Sequence, residues 1–190
     1  SPTIKKCKVQ ANKILSFNFE DCTAWRVDFA DVFEKFVQHV FKEVAKESGG
    51  RLLANYKFKG YTSRQNAWEL NHIEPDAILQ KEELLVFIDA KYKSHLYNKY
   101  EVSEFLKEEH RHDLHQIMAY TSFSKTKAKI GILCYPSHTV EIKEIKYHNP
   151  INQALCNIKI LGLPLKKDII NEARRLLIAE LSKFEKEYVT

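Results

Sequence analysis

The chain has 190 residues, 44% of them apolar, enough for one domain around a single core. Thirty basic against 25 acidic side chains leave a net charge of +5, which permits a polyanionic partner without demanding one. There is no apolar run long enough to cross a membrane, the opening SPTIKKCKVQ lacks an apolar signal core, and Cys7, Cys22, Cys134 and Cys156 form no CxxC pair; the expectation is a soluble cytoplasmic protein with reduced thiols, without a disulfide framework or common zinc motif.

Phe29, Val32, Phe33, Phe36, Val37, Val40, Phe41 and Val44 recur at steps of three and four, which predicts a helix over 29–44 stopped by Gly49 and Gly50. Residues 52–58 read as a strand, GYTSRQN as a loop, and 76–80 as a second strand. After a polar turn at Lys81, Glu82 and Glu83, LLVFIDAKYK is a continuous apolar run of the kind buried on both faces of a sheet, and it pairs with its predecessor as a hairpin. A second helix is expected over 102–123, with Leu106, Leu114, Ile117, Met118 and Tyr120 inward and KEEHRH as a polar, frayed or protruding start. Strands over 129–135 and 140–148, separated by Pro136 and Ser137, precede another over 157–163. Beyond Pro164 an amphipathic helix is expected over 166–188, with Ile169, Ile170, Leu176, Leu177, Ala179, Leu181 and Phe184 inward. This order predicts a mixed α+β domain, a central mixed sheet flanked by helices, with a core over 29–135 and C-terminal strands and helix over 139–188.

Within LLVFIDAKYK, Asp89 and Lys91 are two residues apart and leave the same face of a strand, while Val86, Ile88 and Ala90 leave the other. A charged pair in so apolar a strand is costly unless a metal, a substrate or mutual pairing compensates it. Thirteen residues earlier Asp76 opens the neighbouring strand, so the hairpin returns it beside Asp89. Two carboxylates and a lysine at one sheet end suit phosphodiester hydrolysis: the carboxylates can hold Mg²⁺ or Mn²⁺, and Lys91 can position water or neutralise transition-state charge.

These residues carry a resemblance. E-P-D-A-I-L followed by F-I-D-A-K-Y-K resembles the PD-(D/E)XK motif of restriction and repair nucleases, which implies a restriction-endonuclease-like core and a catalytic set of Asp76, Asp89 and Lys91. Glu34 on the first helix is implied as a further metal ligand. R-H-D-L-H-Q-I-M-A-Y resembles the Q-x-x-x-Y signature of RecB-like branches, which implies that Asp113, Gln116 and Tyr120 support the site or touch DNA; Tyr120 reads equally well as a core aromatic with a satisfied hydroxyl. With F-E-x-x-V on the first helix, the set is most similar to the nuclease part of the McrC family, the cleavage subunit of McrBC-type, modification-dependent restriction systems. That likeness, over about residues 29 to 135, implies a DNA endonuclease working with a separate AAA+ GTPase. An end-dependent RecB-like exonuclease, or a DNA-binding and assembly module with little activity alone, stands beside it.

Other signals are weaker. His110, His112 and His115 match no common zinc spacing and read as a solvated helix face. Lys93, Tyr92 and Tyr97 follow the charged strand and could reach a phosphate backbone, although the plain end of a strand is the commoner reading, and Trp25 and Trp68 read as core or loop anchors. Lys57 with Lys59, Lys125 with Lys127 and Lys129, and Lys143 with Lys146 are basic clusters that could face phosphate, although a solvated surface is the plainer reading of each. No GxxxxGK[ST] loop is present, so nucleotide dependence is expected from a partner.

Overall fold

The computed structural model describes residues 28–59, 72–96, 103–126, 128–148, 150–151 and 155–188. Cys7, Cys22, Trp25, Trp68, Tyr97, Lys127 and the GYTSRQN loop lie outside the described residues.

The first helix, α1 (Phe29–Ser48), begins where the Asp28 side chain accepts a hydrogen bond from the Ala30 amide at 2.9 Å, and it ends at Gly49, whose φ of 74° is a left-handed conformation that glycine adopts without strain. Its buried residues, Phe33, Val37, Val40, Phe41, Val44 and Ala45, form the expected stripe. The predicted strand over 52–58 is broken. β1 (Arg51–Ala54) stops at Asn55, whose φ of 51° turns the chain, and β2 (Phe58–Lys59) pairs with β3 (His72–Ile73) in a separate two-stranded sheet. Asparagine is among the few residues that tolerate this conformation, so the break is local chemistry that the apolar pattern conceals.

β4 (Ala77–Lys81) and β5 (Leu84–Ala90) form the expected hairpin, from Ala77 opposite Ile88 to Lys81 opposite Leu84. β5 is shorter than the ten-residue run predicts. Beyond Ala90 only the Lys91 amide continues the pairing, donating to the Cys134 carbonyl at 2.8 Å, and Lys91 to Lys93 turn away from the sheet. α2 (Glu104–Ser122) starts at Ser103, whose hydroxyl accepts from the Leu106 amide, so the polar KEEHRH stretch is regular helix rather than a frayed start. β6 (Lys129–Pro136), β7 (Glu141–His148), β8 (Leu155–Leu163) and α3 (Ile170–Tyr188) complete the chain; α3 begins four residues later than expected.

The main sheet has six strands in the order β1-β4-β5-β6-β8-β7, with β5, β6 and β8 parallel and the other pairings antiparallel. α1 and α3 cover one face, where Phe33, Val37, Phe41, Val86, Ile88, Leu177 and Phe184 share a core. α2 covers the other through Ile117 and Tyr120 against Phe87, Leu133, Tyr135 and Ile158. The fold is therefore the expected mixed sheet between helices, with Cys134 fully buried in it.

α2 approaches the sheet most closely over Gly131 of β6, where an added Cβ would stand 2.6 Å from Ile117 Cγ1. Gly131→Ala is expected to push α2 off the sheet and destabilise the protein by about 1 to 3 kcal/mol, measured as a lower urea midpoint at unchanged slope.

Candidate active site

The hairpin register places the site. Ala77 opposes Ile88, so the next opposed pair is Asp76 and Asp89, at the end of β4 and β5 from which the strands open. The Asp76 carboxylate takes the Ala90 amide as a hydrogen-bond donor at 2.6 Å. Its carbonyl accepts from the Asn55 amide at 3.0 Å and the Gln38 side chain at 2.9 Å, which ties β1 and α1 to the same point.

Asp89 is 1% exposed. Lys91 Nζ stands 2.7 Å from its Oδ2 as an ion pair, yet that buried oxygen receives no aligned hydrogen bond among the described residues. Burial is the main cause of the electrostatics that follow. It pushes the Asp76 carboxyl from 3.8 to about 7, with the Asp89 charge adding to the shift and the Ala90 hydrogen bond opposing it. Asp89 is raised as well, mainly by desolvation, with the Lys91 ammonium holding it back. For Lys91 burial works the other way, but the carboxylate charges outweigh it and keep the ammonium protonated.

Tyr92 separates two lysines by direction. Its ring packs on Phe29 and Phe33 of α1, each 6.0 Å away between centroids, whereas Lys91 and Lys93 reach α2. Lys91 Nζ donates to Gln116 Oε1 at 2.8 Å. The Gln116 amide donates to the Tyr120 hydroxyl at 2.7 Å, which in turn donates to the Glu74 carbonyl at 3.1 Å, just ahead of Asp76. Tyr120 is a buried ring with a satisfied hydroxyl, as one of its two readings expects, and that hydroxyl joins a hydrogen-bonded chain from Lys91 to the Glu74 carbonyl. Lys93 Nζ donates to Asp113 at 2.8 Å, and the other oxygen of that buried carboxylate accepts from the Tyr135 hydroxyl at 2.8 Å.

The structure brings Asp76, Asp89, Lys91, Gln116 and Tyr120 into one connected group, with Asp113 and Lys93 as a second pair beside it. Glu34 lies on the α1 side, close enough for its charge to raise Asp76, but its Oε1 is occupied by Gln38, Asn55 and Lys35. Among the described residues no three His, Cys, Asp or Glu side chains are gathered as a metal-holding group. The pair Asp76 and Asp89 nonetheless suits a divalent cation. Both carboxyls resist ionisation where they are, one oxygen is buried without an aligned donor, and an added positive charge relieves each strain.

His110 departs from the expected solvated face. It is half-buried, with Nδ1 3.3 Å from the Tyr135 hydroxyl, and burial beside His95 lowers its pKa; His112 and His115 are exposed as expected. The basic clusters are partly spent on neighbours: Lys57 faces Glu74, Lys129 donates to the Ser124 carbonyl, Lys143 faces Glu141, and Lys146 faces Glu144 and Glu187. Gln38 was not among the expected site residues. Its signal in the sequence is its place one helical turn after Glu34.

Comparison with known proteins bears on the family and the fold. Residues 19–136 match the family described as McrBC 5-methylcytosine restriction system component. The fold is similar to a chain in the refined half-complex from a tetradecameric assembly of Thermococcus gammatolerans McrB AAA+ hexamers with bound McrC, at 14% identity and a TM-score of 0.52, covering 83% of this chain and 34% of that one. The present chain thus spans about a third of its structural relative. No curated protein matches.

A carboxyl raised from 3.8 to about 7 on folding binds a proton more tightly in the folded state, so its stabilising contribution is full in acid and is lost as pH rises through that interval. Without added metal, Asp76→Asn is expected to match the wild type near pH 4 and to exceed it by about 2 to 4 kcal/mol above neutrality, read from urea unfolding at a series of pH values.

Proposed function

We propose that this chain, which belongs to the family of McrBC 5-methylcytosine restriction system components, is a metal-dependent endodeoxyribonuclease in which Asp76 and Asp89 hold Mg²⁺ or Mn²⁺ and Lys91 acts at the scissile phosphate. The observation that carries this reading is the apposition of a half-buried and a fully buried carboxylate, Asp76 and Asp89, across a hairpin end with a charged lysine 2.7 Å from Asp89. When bound, a divalent cation polarises the phosphoryl oxygen and makes water a better nucleophile at neutral pH.

The remaining work falls to the chain's own groups. Lys91 stays protonated and supplies positive charge where the phosphorane-like transition state gathers negative charge. Gln116, fixed by Tyr120 and the Glu74 carbonyl, holds the ammonium in place, so Gln116 and Tyr120 are positioning residues. Gln38 links Glu34 to the Asp76 backbone and supports the loop from the α1 side; through it Glu34 stands as an outer support of the metal pair. Asp113 performs the corresponding service for Lys93, leaving that lysine at the site's edge for a neighbouring phosphate.

The partner in this reading is a separate AAA+ motor of the McrB type with GTPase activity. Its support is the family match together with the relative's assembly, in which McrC is bound to McrB AAA+ hexamers. Without that partner, cleavage is expected to be slow.

Closed circular plasmid with Mg²⁺ or Mn²⁺ tests the chemistry and separates it from an end-dependent exonuclease. The wild type is expected to nick it. Asp89→Ala is expected to abolish nicking, and Lys91→Met to slow it by about 10² to 10³. Equal nicking by wild type and Asp89→Ala rejects the assignment. Gln116→Ala is expected to lower kcat by about 10 to 100 with KM nearly unchanged, since it loosens the ammonium without touching DNA.

A further inference from the structure

Lys35, His39, Lys42 and Lys46 follow one another on α1 at i, i+4, i+7 and i+11, so they lie on one side of the helix, away from the buried stripe of Phe33, Val37, Phe41 and Val44. They do not simply face open solvent. Together with Gln38 and Leu52 they line a groove of about 530 Å³ between α1 and the edge strand β1. The groove lining contains no carboxylate. Of the acidic residues on the helix, Glu47 faces Arg174, whereas Glu34 and Glu43 pair with Lys35 and Lys46 without lining the groove. Lys35 and Lys46 share their charge with Glu34 and Glu43 but remain 65% and 61% exposed, contacts that solvent weakens and a stronger anion can replace. Lys42 makes no ion pair among the described residues.

One residue, Gln38, links the groove to the active site. Gln38, in its wall, donates both to the Asp76 carbonyl and to Glu34, so the basic line begins beside the carboxylate pair and runs away from it. From Lys35 to Lys46 the helix rises about 16 Å, at about 1.5 Å per residue. That length matches about five steps of a DNA strand, at about 3.4 Å each.

We infer that the groove between α1 and β1 is a DNA phosphate-backbone track, in which Lys35, His39, Lys42 and Lys46 hold the strand flanking the phosphate at Asp76 and Asp89. This rests on the nuclease reading for its orientation, though not for the binding itself. The contacts go to backbone rather than base edges, so the track orients DNA and contributes affinity without sequence preference.

The test uses fluorescence anisotropy with a labelled duplex in the Asp89→Ala background, where binding is separated from cleavage, from about 50 to about 200 mM salt. Adding Lys42→Ala and Lys46→Ala, both exposed helix positions at which alanine preserves the helix, is expected to weaken binding about tenfold at the lowest salt and to reduce the slope of log K against log salt by about 1.8, two phosphate contacts' worth. A control pair, Lys166→Ala with Lys167→Ala, removes the same charge from an exposed stretch before α3 and is expected to leave the slope unchanged. An unchanged slope in the groove variant, or an equal loss in the control, overturns the track. Nicking by otherwise native protein, measured alongside, tells the two readings apart: cutting with an unchanged slope removes the track and keeps the nuclease, whereas a reduced slope with no cutting keeps the track and removes the nuclease.

Discussion

Two carboxylates forced together, one buried and one half-buried, constrain the rest of this molecule. Asp76 and Asp89 oppose one another because the β4 and β5 register allows no other arrangement, and that register is dictated by Ala77, Leu79, Val86 and Ile88 facing the α1 and α3 layer. The apolar core therefore imposes the electrostatic problem. Its partial solutions lie around it: the Ala90 amide on Asp76, the Lys91 ammonium beside Asp89, and a proton on Asp76 through the acidic range. None fully compensates the buried oxygen of Asp89. An added positive charge would offset part of the cost of holding these carboxylates together.

The polar groups around the pair are organised by element. α1 serves the Asp76 side through Gln38, and α2 serves the lysine side through Gln116 and Asp113. Each anchoring group is itself held: Gln116 by Tyr120, and Asp113 by Tyr135. Such support matters for chemistry, because a lysine has many rotamers and only a few place its ammonium against a phosphate.

Much of this was legible beforehand, for identifiable reasons. The alternation in LLVFIDAKYK separated Asp89 and Lys91 from Val86, Ile88 and Ala90, and a short polar turn implied the hairpin that returns Asp76. The connected group of Asp76, Asp89, Lys91, Gln116 and Tyr120 follows from those periods and from helical spacing on α2. What pattern concealed was set by single residues or tertiary contacts. Asn55 ended β1 by conformational tolerance, within a run that reads as continuous strand. His110 was drawn into the interior by Tyr135, a residue on another element. The basic line on α1 is inconspicuous in the sequence because its members are spread over three helical turns rather than adjacent. Glu34 lies on the helix as expected, and hydrogen bonds from Gln38 and Asn55 engage one of its two carboxylate oxygens.

The two lysine anchors have a mechanical consequence. Along the chain Lys91 precedes Lys93, whereas their partners run in reverse, Gln116 for the first and Asp113 for the second. The two-residue step between the lysines, closed by the Lys93 amide donating to the Lys91 carbonyl, is thereby matched to a helical rise of about 4.5 Å between Asp113 and Gln116. Sliding α2 by one turn would bring a lysine to the wrong anchor, and rotating it would break both contacts at once. The helix has one seat on the sheet, and the packing over Gly131 and the placement of the ammonium groups are two readings of that same position.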